Sequence, residues 1–104
     1  MSTLQDIKPK KVIVNINGKE KELKFNLNAY AAVEDHLCIP IPNALALLDS
    51  GSLKAVRAFL WAGLLHQDNN VTIEEVGNIE NFEGIMEPLS EAIEISLPRS
   101  NEDE

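Results

Sequence analysis

Cysteine occurs once, at Cys38, so no disulfide can close within the chain and packing alone must hold the fold. The five glycines are scattered one at a time, which excludes a glycine-rich loop able to cradle phosphates. No G-x-S-x-G elbow is present, and only two histidines are available for acid–base work. Basic residues are scarce: nine Lys and Arg stand against seventeen Asp and Glu, a formal charge of −8 with a pI near 4.7. That balance argues against binding the phosphate backbone of nucleic acid, which needs a basic footprint. Long hydrophobic runs are also missing. The longest, Ala55 to Leu65, contains Arg57 and falls far short of the roughly 20 residues that span a bilayer. The opening MSTLQDIKPK lacks the apolar stretch of a signal peptide. These absences lead us to expect a cytoplasmic protein in a reducing setting, without membrane or nucleic-acid partners. They also lead us to expect no catalytic, cofactor-binding or metal-binding residues.

What is present suits one globular domain. The 104 residues are 44% hydrophobic and 25% charged, enough apolar material for a single core at this length. The charge is unevenly spread. Residues 1–26 carry six lysines against three acids, a net of +3, whereas residues 27–104 carry Lys54, Arg57 and Arg99 against fourteen acids, a net of −11. The chain therefore has two electrostatic ends, with the boundary at an expected strand-to-helix junction, as though each surface met a different partner.

Residues 1–10 and 98–104 read as a flexible N-terminal tail and an acidic C-terminal tail around a domain at 11–97. No internal repeat is visible. Within the domain, Asn17-Gly18 is the preferred pair for a two-residue type I′ turn. Closing a hairpin there pairs Ile16 with Lys19, Val14 with Lys21 and Val12 with Leu23. Val12, Val14, Ile16, Leu23 and Phe25 then share one face, which must dock on helices because a lone hairpin is marginal in water.

Helical patterns follow. Asn26 or Asn28 can cap a helix to about Leu37, with Leu27, Tyr30, Val33 and Leu37 at helical spacing. Ile39-Pro40-Ile41-Pro42 interrupts it with extended backbone, and Pro42 opens a short helix over 42–49 with Leu45 and Leu48 inward. Ser50-Gly51-Ser52 ends that helix and caps the next, Leu53 to about His66. This third helix is apolar nearly all round, which predicts a central, buried position. Thr72 to Glu75 has the capping-box pattern of a short helix ending near Gly77. The last helix spans roughly Asn81 to Leu97, with Met86, Leu89, Ile93 and Leu97 on one stripe and Glu83, Glu87, Glu91 and Glu94 on another. Pro88 either sits in its first turn or kinks it. The expected class is α+β: an N-terminal antiparallel β-hairpin followed by a compact bundle of four to five helices.

Motifs that could carry chemistry fail on inspection. Glu34, His36 and Cys38 resemble a metal set, yet on a helix His36 points away from the other two, so a solvated helix end is expected. His66 falls at a helix C-terminus. A calcium loop starting at Asp68 would need Gly at its sixth position and Glu at its twelfth; Ile73 and Ile79 stand there. The glutamate row of the last helix reads as a solvated face.

The run GKEKELKFNLNAYAAVEDHLCIPIPNALALL followed by SGSLKAVRAFLWAGLLHQDNNVTIEEVGNI resembles the tail assembly chaperones of long-tailed bacteriophages and prophages, to which gene-transfer-agent tail proteins are related. The likeness rests on the hairpin with its GK turn, Val33-Glu34-Asp35, the Ile-Pro linker, Leu60 to His66, and Thr72 to Gly77. It covers about residues 12–97. The resemblance implies a non-enzymatic protein of the bacterial cytoplasm that binds the aggregation-prone tape-measure protein while tail-tube subunits polymerise, and that is absent from the finished virion. It further implies that a chain ending at Glu104 would be the short product of a gene that can also yield a frameshifted, longer one.

A holding chaperone needs apolar surface for its client and a charged exterior for solubility. The candidate contact residues are Met86, Leu89 and Ile93, a stripe that either completes the bundle or binds a partner, with Lys19, Lys21 and Lys24 as an electrostatic complement. Hairpin edges could pair with a second copy, so homo-oligomers are an expectation too. Two rival classes stand beside this one. An acidic mimic of nucleic acid would inhibit a host DNA-binding protein through Glu83, Glu87, Glu91 and Glu94. A small metal-dependent hydrolase would need His36, Cys38 or His66 to converge with carboxylates.

Overall fold

Asn17 and Gly18 turn the chain with φ of 54° and 84°, both positive, as a type I′ turn requires. The computed structural model describes residues 11–80 and 83–97. The turn joins β1 (Val12–Ile16) to β2 (Lys19–Leu23) in the antiparallel register expected, with Val12 opposite Leu23, Val14 opposite Lys21 and Ile16 opposite Lys19. The Asn15 side chain steadies it by accepting from Gly18 N at 3.0 Å. Among the described residues five helices follow: α1 (Leu27–Leu37), α2 (Ile41–Asp49), α3 (Leu53–Leu64), α4 (Ile73–Gly77) and α5 (Glu83–Ser96). The chain is thus α+β, a hairpin followed by a helical bundle. The expected tails at 1–10 and 98–104, and the expected helix start at Asn81, lie outside the described residues.

Each helix boundary has a local cause. Asn26 caps α1, its Oδ1 accepting from Ala29 N at 2.9 Å. Ser52 does the same for α3 through Ala55 N. The box at Thr72 is reciprocal, with Glu75 N donating to Thr72 Oγ1 and Thr72 N to Glu75 Oε1. Helix α2 differs from expectation, because it starts at Ile41, one residue before Pro42. Pro40 offers no side-chain cap there. The Glu34 carboxylate of α1 supplies one instead, accepting from Ile41 N at 2.8 Å. A negative group at a helix N-terminus also complements the helix dipole. Pro88 sits inside α5, past the first turn, so the Gly84 carbonyl has no helical amide to receive.

Helix α3 is the hub, touching β2 and every other helix. Ala55, Ala58, Phe59 and Ala62 are fully buried. Val12, Val14, Leu23 and Phe25 of the hairpin cover the core together with Tyr30 and Val33 of α1 and Leu89 of α5. Phe25 stacks on Tyr30 with ring centroids 5.3 Å apart. Burial of each large side chain contributes about 1.5–3 kcal/mol. Leu27 departs from its expected place and is 83% exposed. The buried arc of α1 is set by Ala29, Tyr30 and Val33, and Leu27 lies about 100° around the helix from its centre.

The two edges of the hairpin end differently. Along β2, Glu22 N donates to Gln67 Oε1 and Glu22 O accepts from His66 Nε2 at 2.9 Å. Lys24 N donates to Gly63 O at 3.0 Å. The C-terminal end of α3 and the turn after it thereby close that edge. Ile13, opposite Glu22, turns its amide and carbonyl the other way. Those groups find no hydrogen-bond partner among the described residues, and the Ile13 side chain is 47% exposed.

Candidate interaction groove on helix α3

The arc of α3 left uncovered by the hairpin and by α1 carries Leu53, Val56, Arg57 and Leu60, residues at helical spacing on one face. This arc forms one wall of a groove of about 400 Å³. The end of α4 and the residues after it contribute Val76, Gly77 and Ile79, and the start of α5 contributes Ile85 and Met86. Leu60, Val76, Ile79 and Ile85 are buried and make an apolar floor. Leu53 at 64% and Met86 at 38% exposure stand at the mouth. The volume lies at the small end of the roughly 300–1,000 Å³ typical of ligand pockets.

Two cations flank the apolar floor. Lys54 and Arg57 line the groove, and neither has a carboxylate partner among the described residues. The Arg57 stem lies over Gly77, where a Cβ would meet Arg57 Cδ at 3.2 Å. The glycine therefore lets the guanidinium reach across toward α4. Outside Arg99, these are the only cations in residues 27–104. The acidic body thus places Lys54 and Arg57 beside one of its exposed apolar areas, at Leu53 and Met86. Among the described residues the lining contains no carboxylate, hydroxyl, thiol or imidazole, so the groove suits binding by shape, apolar contact and charge.

The expected contact residues divide. Met86 lines the groove and is exposed. Leu89 and Ile93 do not: they are 1% and 3% exposed, and belong to the core. The buried stripe of α5 is Ile85, Leu89, Ala92 and Ile93: it keeps Leu89 and Ile93 of the expected stripe, has Ile85 in place of Met86, and seals the bundle against β1. The lysines do not form one patch. The pleat puts Lys19 and Lys21 on the face of Ile16 and Val14, and Lys24 on the opposite face.

The residues weighed for metal chemistry serve local structure. Glu34 caps α2, and the His36 ring packs against Trp61 with centroids 5.8 Å apart. Cys38 ends α1 in the left-handed conformation, φ 60°, with its thiol donating to Asp35 O. His66 holds β2, and because Glu22 O can only accept, the His66 Nε2 carries a proton. Among the described residues, no three His, Cys, Asp or Glu side chains gather closely enough to hold a metal ion. Of the glutamate row, Glu83, Glu87 and Glu94 are exposed and Glu91 is half-buried. No helix among the described residues is long and apolar enough to cross a membrane.

Trp61 is only half-buried, its indole N–H donating to Val71 O at 3.0 Å. That bond pins the loop between α3 and α4 and so helps set α4 as a wall of the groove. Sequence reasoning missed the groove because it took the apolar circumference of α3 as wholly buried. The pairing of Lys54 and Arg57 on that same helix was the available signal. In comparisons with protein-family models, curated proteins and solved structures, nothing matches this chain.

Proposed function

We propose that this chain is a tail assembly chaperone of long-tailed phages or prophages. It holds the tape-measure protein by non-covalent contacts during tail morphogenesis and helps recruit tail-tube subunits, within the bacterial cytoplasm. The observation that carries the reading is the α3–α4–α5 groove, a buried apolar floor with exposed Leu53 and Met86 at its mouth, beside two cations. The order of hairpin, Ile-Pro linker, α3 and capped α4 supports it through the family resemblance. Energetics suit a holding role. A few anchoring side chains at about 1.5–3 kcal/mol each, less an association cost of about 4 kcal/mol or more, leave weak binding, at best about sub-millimolar. A client held that weakly can be handed over to polymerising tube subunits.

The test is co-expression with the tape-measure product encoded in the same gene cluster. We expect that product to become soluble and to co-purify with this chain. If the two proteins remain separate at both low and moderate salt, the client assignment is wrong.

A further inference from the structure

The walls of the groove are helix flanks. The main-chain N–H and C=O groups of α3 and α5 point along the helix axes and not into the groove, including those of the first turns and the Gly84 carbonyl that lack a helical partner, and Ile79 N is bonded to Val76 O. The groove therefore offers no ladder to an extended peptide, and any segment entering it must satisfy its own backbone. A helix does so, presenting aliphatic side chains at positions i, i+3 or i+4, and i+7 to the apolar floor. The rim adds a sign. Lys54 and Arg57 lack carboxylate partners among the described residues, and the Arg57 stem is seated over Gly77. The rest of the body is strongly acidic, so it repels a ligand that is acidic throughout.

We propose that the groove binds an amphipathic helix of a partner protein, with aliphatic residues on its buried face and carboxylates confined to the flank that meets Lys54 and Arg57. This rests on the reading of the groove as a client site, and it specifies the chemistry of the bound segment whichever protein supplies it. The occupant is a partner and not a second copy, because the amphipathic helix of this chain, α5, already has Leu89 and Ile93 in its own core.

Two synthetic helical peptides test it by fluorescence anisotropy against the full chain. Both carry leucines at i, i+3 and i+7; one has two glutamates on a single flank, its twin two lysines there. The field of a chain with net charge −8 favours the lysine twin, so a preference for glutamate reports on the rim. We expect the glutamate peptide to bind about fivefold more tightly, as two rim charge pairs imply. The Lys54→Glu/Arg57→Glu variant, altered only at exposed positions, should keep its melting curve and reverse the order. Equal affinities, a preference for the lysine twin, an unreversed order or no saturable binding would overturn the proposal. So would a concentration-dependent dimer abolished by the same double variant, which would make a second copy the occupant. If the peptide preference holds and the tape-measure complex does not form, the client assignment alone fails. If the complex forms and neither peptide binds, the client uses another surface.

Discussion

Gly63 lies so close to Phe25 that a Cβ at position 63 would stand 2.9 Å from Phe25 Cζ and 3.0 Å from Leu23 Cδ2. The missing side chain lets the hairpin settle on α3, and the same close approach brings Lys24 N to Gly63 O at 3.0 Å. One residue thus accommodates an aromatic ring and helps close the outer edge of β2.

Gly63→Ala should therefore destabilise the fold although alanine is the better helix former. Propensity gains about 1 kcal/mol, while overpacking a rigid aromatic contact costs typically 1–3 kcal/mol and the edge hydrogen bond lengthens. We expect a net loss of about 1–2 kcal/mol in urea unfolding, set by the same overpacking range. A stabilised variant would show that the hairpin can move off α3 without penalty.

Tyr30 predicts an alkaline limit. Burial raises its phenol above the ordinary value of 10, and the hydrogen bond with Ser96 opposes that shift. The Ser96 hydroxyl donates to Ile93 O, so the neutral Tyr30 hydroxyl donates to Ser96 Oγ. A pKa raised by folding means the folded state favours the neutral phenol. Its contribution is complete below pH 10 and is lost as pH climbs from there through the folded value. Tyr30→Phe should lower stability by about 1 kcal/mol at neutral pH and flatten the alkaline decline. Unfolding midpoints between pH 8 and 11.5 measure both effects.

Leu89 and Met86 should separate stability from binding. Leu89→Ala opens a cavity between α5 and β1 and should cost about 2–5 kcal/mol. Met86→Ala, at the mouth of the groove, should stay within about 1 kcal/mol of the parent while weakening groove ligands. Thermal melts paired with peptide anisotropy distinguish the two; equal melts would place Leu89 outside the core.

Glu34 should act as a cap. Glu34→Ala leaves Ile41 N without its acceptor at the start of α2, a loss of about 1 kcal/mol, or roughly 4–8 °C in melting temperature for a domain of this size. Glu34→Gln keeps an acceptor oxygen and should recover most of that difference. An unchanged melting temperature in the alanine variant would mean that Pro42 and packing suffice to start α2.

Much of the fold was legible because its causes are local. Asn17-Gly18 requires positive φ at adjacent positions, and that alone sets which residues of β1 and β2 face each other. Thr72 and Glu75 satisfy each other across a single helical turn. The cap on α2 was not legible in the same way. Its donor and acceptor are seven residues apart on different helices, and Glu34 beside His36 and Cys38 suggested ligands before it suggested a cap. In α5 the expected stripe holds at Leu89 and Ile93 and differs at Met86, where Ile85 is buried instead; both are apolar, and only the position of β1 decides which of them turns inward.

The amino-acid sequence by itself determined the turn, the hairpin register, the caps of α3 and α4, and the acidic body with its few cations. Each depends on residues within a turn or two of one another. Tertiary structure alone decided which apolar surface stays open. Helix α3 is apolar on nearly every side, and periodicity cannot show which sides the hairpin, α1, α2 and α5 will cover. Packing covers most of its circumference, Leu60 included, and leaves Leu53 and part of Val56 open beside Lys54 and Arg57. A feature of composition thereby becomes a groove with a direction of charge.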